Sequence, residues 1–135
     1  MVYAVIDTNI IVSSFITRNH SSSTRRVINS MLSGKIKPLY NDEILDEYFD
    51  VLNRSKFHLS EIRIIELLNF FKENGINTSR FPFDGDMPDE DDRVFYEVSL
   101  SEEDSFLVTG NLKHFPKTPK VITAAQMIEI LDNDF

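Results

Sequence analysis

The feature that most limits the folds open to this chain is an alternation. Short apolar runs rich in β-branched residues, each stopped by polar residues, are separated by segments of helical periodicity. The first run, Val2-Tyr3-Ala4-Val5-Ile6, ends at Asp7-Thr8-Asn9. Ile36–Tyr40, Asn77–Phe83, Phe106–Gly110 and Pro119–Thr123 read as further strands. Helices are predicted over Ile10–Ile16, Arg25–Leu32, Glu43–Asn53, from Ser60 through Lys72, and over Arg93–Leu100 and Ala124–Leu131. In the second of these, Val27, Ile28, Met31 and Leu32 share the inward side. Strands alternating with helices imply an α/β fold, a three-layer sandwich with a central, mostly parallel sheet of about five strands flanked by helices. At 135 residues, one domain over 1–135 is expected.

The polar stops are where chemistry would sit. An ionisable side chain at the carboxyl end of a buried strand lies where open α/β sheets place ligand crevices. Asp7 either faces such a crevice or caps the helix after it. In the Glu43–Asn53 helix, at about 100° per residue, Glu47 lies nearest the apolar face of Ile44, Tyr48, Val51 and Leu52. Asp46 and Asp50 point nearly opposite and read as solvated surface. The densest acidic stretch is Asp84-Gly85-Asp86-Met87-Pro88-Asp89-Glu90-Asp91-Asp92. Acids before a helix are favoured by its dipole, and such a run is usually a solvated cap; these exceed what capping needs, and their mutual repulsion is costly unless a cation relieves it. Thr109-Gly110-Asn111 is a further polar turn after a strand.

Several function classes are excluded. The net charge of −8 opposes a simple nucleic-acid coat, although bound cations can neutralise clustered carboxylates in an enzyme. Without cysteine there is neither a disulfide framework nor a thiolate metal site. Four glycines form no phosphate-binding loop, and the acidic run lacks the spacing of a calcium-binding loop. Ser21-Ser22-Ser23 lies in no nucleophile elbow. A phosphatase using an aspartyl nucleophile would want an acid at Asn9. His20, His58 and His114 lack zinc-like spacing and read as unpaired loop residues. With no basic leader and no long apolar run, no membrane association and a cytoplasmic location are expected. What remains is hard oxygen chemistry suited to Mg²⁺ or Mn²⁺.

Four motifs carry a resemblance. Val5-Ile6-Asp7-Thr8-Asn9-Ile10 resembles the opening motif of the PIN-domain ribonucleases. Ile44-Leu45-Asp46-Glu47-Tyr48 and Asp92-Arg93-Val94-Phe95-Tyr96-Glu97-Val98 resemble its second and third motifs, and Val108-Thr109-Gly110-Asn111-Leu112-Lys113-His114-Phe115 its fourth. The similarity is greatest to the bacterial VapC-like toxins of toxin–antitoxin systems. It implies a PIN-like sandwich and a metal-dependent endoribonuclease that hydrolyses RNA phosphodiesters with one or two Mg²⁺ or Mn²⁺ ions. Asp7, Glu47 and Asp92 would be the catalytic and metal-binding acids and Asp89 a helper, with Thr8, Asn9, Thr109 and Asn111 in support. Asn111 departs from the pattern, since many relatives carry a fourth aspartate there.

Arg54, Lys56, Lys113 and His114 are candidates to contact RNA phosphates, which position a nucleic acid without reading it. The same resemblance implies an antitoxin protein as partner. The apolar excess of the helix around Ile62–Phe71 leaves two readings, a buried helix forming a hairpin with the preceding one or half of a homodimer interface. The rival reading is a catalytically weak PIN-like module that binds RNA or a partner in a regulatory role.

Overall fold

The computed structural model describes residues 1–134. Its element order is β1 (Val2–Ile6), α1 (Thr8–Ile16), α2 (Ser23–Leu32), β2 (Ile36–Tyr40), α3 (Asp42–Leu52), α4 (Glu61–Asn74), β3 (Ile76–Asn77), α5 (Arg93–Leu100), β4 (Ser105–Val108), β5 (Val121–Ile122) and α6 (Ala124–Asp134). Single 3₁₀ turns cover Ser55–Phe57, Glu90–Asp92 and Leu112–His114. The five strands form one all-parallel sheet in the order β3-β2-β1-β4-β5, with helices on both faces. This is the expected three-layer α/β sandwich.

The strand order places the functional region. From β1 the chain steps to β2 and β3 on one side, and later fills β4 and β5 on the other. The order therefore reverses between β1 and β4, and a crevice opens at their carboxyl ends. β1 is central and apolar on both sides: Ala4, Val5 and Ile6 are fully buried. Its register with β4 runs from Tyr3 opposite Ser105 to Ile6 opposite Val108, and the Asp7 N–H continues the ladder to the Val108 carbonyl at 2.9 Å.

Local chemistry sets the helix ends. Asn41 caps α3 by accepting from the Ile44 N–H at 2.9 Å, and Ser22 caps α2 through the Arg25 N–H. Gly34 takes the left-handed conformation (φ 88°) that ends α2. Gly75 follows α4, where a Cβ would lie 2.7 Å from the Phe71 carbonyl and 2.8 Å from that of Pro38. Pro38 itself lies inside β2. Its carbonyl faces Gly75, before β3 pairing begins at Leu39, so the missing N–H interrupts no ladder.

Several expectations need correction. The strand expected over Asn77–Phe83 is only Ile76–Asn77. The Phe81 N–H bonds the Glu97 carbonyl instead of a strand, which draws the chain off the sheet edge. The strands expected over Phe106–Gly110 and Pro119–Thr123 are Ser105–Val108 and Val121–Ile122. Leu32 is exposed rather than inward, while Leu45 joins Ile44, Tyr48 and Leu52 in the core. Ser60 precedes α4 without a side-chain capping bond. α4 buries Ile64, Leu67 and Phe71 but leaves Ile62 and Ile65 exposed.

Candidate active site

Asp7 sits at the junction of β1 and α1, 4% exposed. Its Oδ1 accepts from the Thr8 N–H at 2.8 Å, so the capping role is real. Its Oδ2 accepts from the Thr109 hydroxyl at 2.7 Å and from the Asn9 amide at 3.1 Å. Asn9 in turn accepts from the Gly110 N–H at 2.9 Å, tying the turn after β1 to the turn after β4.

α3 brings up the second acid. Tyr48, fully buried against Phe71 and Phe95, donates its hydroxyl to the Ile6 carbonyl at the end of β1. That bond docks the helix on the strand end, and the neighbouring Glu47 accepts from the Thr8 hydroxyl. Asp46 and Asp50 are exposed, as the helical wheel implied.

The third acidic element is the run before α5. An arginine framework shapes it. Arg80 binds Glu97 at 2.8 Å and Glu43 at 3.0 Å, and Glu97 also accepts from the Phe83 N–H at 3.0 Å. Arg93 binds Glu90 at 2.7 Å and the Gly85 carbonyl at 3.1 Å. Within this framework Asp89 caps the Glu90–Asp92 turn, and Asp89 and Asp92 face the crevice. Glu97 drew no notice in the sequence beyond its place in a motif. Its signal was an acid flanked by Phe95, Tyr96 and Val98 in a helix that buries its middle.

His114 corrects the sequence reading most sharply. It is paired, with Nδ1 3.0 Å from Asp92 Oδ2 and 3.7 Å from Asp89 Oδ2. Its Nε2 lies 2.8 Å from the Asn111 side-chain amide. The Asn111 N–H bonds the Thr109 hydroxyl oxygen at 2.9 Å, so one chain of hydrogen bonds runs Asp7–Thr109–Asn111–His114–Asp92. Among the described residues, Asp89, Asp92 and His114 form a group whose donor atoms all lie within 4.8 Å of one another.

The crevice has a volume of about 640 Å³. Asp7, Glu47, Asp89, Asp92 and His114 line its floor, and Val12, Ile16, Val51 and Phe57 form an apolar wall. Arg54 is the one permanent cation among the lining residues. Of the other phosphate candidates, Lys56 lies over the Phe57 ring and Lys113 lines a separate apolar groove; neither lines the crevice.

The carboxylates bear the cost of this crowding. Burial, then the nearby Asp92 charge, pushes Asp7 up to about 6 against hydrogen bonds from Thr109 and Thr8. Burial raises Glu47, with Asp7 adding to it and Thr8 and Arg54 opposing. Burial and the Asp89 charge raise Asp92, opposed by His114.

The PIN domain family model matches residues 3–113. The chain belongs to the PIN domain family. No curated protein matches it. PIN domains are generally metal-dependent nucleases, they use divalent ions, and PIN nucleases act on RNA. The residues of this PIN domain fit such an ion. Three carboxylates are held above their ordinary values by burial and mutual repulsion, which a divalent cation among them would relieve. The donors are hard oxygens joined by one imidazole. Among the described residues, no helix is long and apolar enough to cross a membrane.

Proposed function

We propose that this PIN domain is a metal-dependent endoribonuclease, the toxin component of a toxin–antitoxin pair, acting in the cytoplasm on RNA. The observation that supports it best is the convergence of Asp7, Glu47, Asp89 and Asp92 on one crevice with a single permanent cation, Arg54, on its lining. Asp7, Glu47 and Asp92 would hold Mg²⁺ or Mn²⁺, with Asp89 assisting. The chemistry supplied by such an ion is a lowered pKa for water and neutralisation of charge on the phosphate.

The chain's own residues do the rest. Asp7 is fixed through both oxygens by Thr8, Asn9 and Thr109, so it offers its lone pairs in one orientation. Glu47, held at the crevice edge by the Thr8 hydroxyl, would offer its remaining lone pairs to the ion from the α3 side. Arg54 lies at the Glu47 end and supplies a charged contact for a phosphate. Val12, Ile16, Val51 and Phe57 offer apolar surface to a ribose or base.

The test is cleavage of a labelled single-stranded RNA by the purified chain with Mn²⁺ or Mg²⁺, abolished by EDTA and by Asp7→Asn. Equal cleavage by Asp7→Asn and the wild type would end the assignment. The rival reading, a weakly catalytic binding module, draws support from Asn111, whose amide turns to His114 and brings no charge. It requires RNA or partner binding that survives removal of Asp7, Glu47 and Asp92 together. Exposed Ile62 and Ile65 on α4 are the surface on which a homodimer would form, and light scattering at micromolar concentration tests it.

A further inference from the structure

We propose that His114 is itself a metal ligand, through Nδ1, and that it biases the centre toward Mn²⁺ and other imidazole-accepting ions over Mg²⁺. This rests on the metal-dependent reading above and goes beyond it by naming a nitrogen donor and the metal preference it brings.

Spacing is the first argument. In an octahedral shell with bonds of about 2.1 Å, neighbouring donor atoms stand about 3.0 Å apart. Nδ1 lies 3.0 Å from Asp92 Oδ2 and 3.7 Å from Asp89 Oδ2. Two carboxylate oxygens and one ring nitrogen thus already hold near-adjacent ligand positions, and a cation entering between them replaces the Nδ1–Asp92 hydrogen bond.

Orientation is the second, independent argument. A metal-bound histidine is held by a partner at its other nitrogen, which sets the tautomer and the ring plane. Asn111 fills that place, 2.8 Å from Nε2. An amide serves either protonation state, giving an N–H to a bare Nε2 or, turned over, its oxygen to an Nε2–H. Asn111 is in turn fixed by its N–H to Thr109, whose hydroxyl holds Asp7. The imidazole is therefore placed from the same strand end as the deepest carboxylate. A histidine serving only as counter-charge to Asp92 would have no need of this second support.

The preference follows from ligand chemistry. Mg²⁺ is bound through oxygen donors and keeps its waters, whereas first-row transition ions add an imidazole to a carboxylate set, Mn²⁺ the least strongly of them. Asp7 and Glu47 supply oxygen only, so His114 is the element of the crevice that separates the two classes.

The experiment uses the full chain, stripped of metal and titrated calorimetrically with Mn²⁺ and with Mg²⁺, together with electron spin-echo envelope modulation of the Mn²⁺ complex. The expected result is ¹⁴N modulation from a directly bound imidazole in the wild type, absent in His114→Gln and His114→Ala. Mn²⁺ affinity should fall roughly 10- to 100-fold in both variants, while Mg²⁺ affinity changes by less than about 3-fold. Mn²⁺ binding with no ¹⁴N modulation in the wild type overturns the proposal and leaves the nuclease reading standing. Equal losses for both ions in the variants overturn it likewise. If neither ion binds the wild type, both readings fall. The wild-type spectrum decides the ligand even if a variant does not fold.

Discussion

Two groups of acids in this molecule behave in opposite ways. Glu97 and Glu90 face Arg80 and Arg93, and both are lowered. For Glu97 burial alone would raise the carboxyl, but the Phe83 N–H and Arg80 more than offset it. Asp7, Glu47 and Asp92 face one another, with Arg54 and His114 as their only basic company on the crevice, and all three are raised. The first group is finished chemistry: each charge has a protein partner. The second is left in debt, and a debt of negative charge in a crevice marks the place for a cation from outside. Counting acids would have ranked the two groups alike.

The largest expected break in that contrast is in catalysis. Asp7→Asn should lower RNA cleavage roughly 1000-fold, the equivalent of several kcal/mol of transition-state stabilisation, read in single-turnover assays with Mn²⁺. Glu97→Gln should leave cleavage within about 3-fold, since Glu97 lies outside the crevice.

The next effect is on stability against pH. Folding raises Asp7 from 3.8 to about 6, so the folded, metal-free protein holds that proton more tightly than the unfolded chain. The stabilising contribution is complete below about pH 4 and is lost as pH rises through about 6, a fall of about 3 kcal/mol. Urea unfolding across this range should show the decline, Asp7→Asn should flatten it, and Mn²⁺ at pH 7.5 should reverse it by mass action.

Glu97→Ala probes the paired group. It leaves the Phe83 N–H without its acceptor and Arg80 without its principal partner, so about 2 kcal/mol should be lost in urea unfolding. The smallest effect belongs to Asp46→Asn, on the exposed side of α3: under about 0.5 kcal/mol in stability and no change in cleavage.

Much of the fold was legible because a parallel sheet buries both faces of its strands. Val2–Ile6 and Ile36–Tyr40 therefore appear as near-continuous apolar runs, and their bounds match. Asn77–Phe83 misled because its side chains suit a strand while its path is set by Glu97, which takes the Phe81 and Phe83 N–H groups. A pairing between a loop and a helix so far along the chain leaves no local trace. Within the crevice, Asp7 and Glu47 were legible from position: a strand end, and the margin of a helix face. His114 was not, because its meaning comes from Asp92, 22 residues away, and from a turn that only β4 brings alongside.

The bond between Thr109 and Asp7 joins residues 102 apart. Its consequence belongs to protein synthesis. A ribosome delivers Asp7 a full 102 residues before Thr109, so that carboxylate acquires its strand neighbour Val108, its hydroxyl donor and the imidazole beside Asp92 only after α1 to α5 have been made. The crevice is therefore completed by the last of its parts rather than the first, and a chain stopped before β4 leaves Asp7 without these partners.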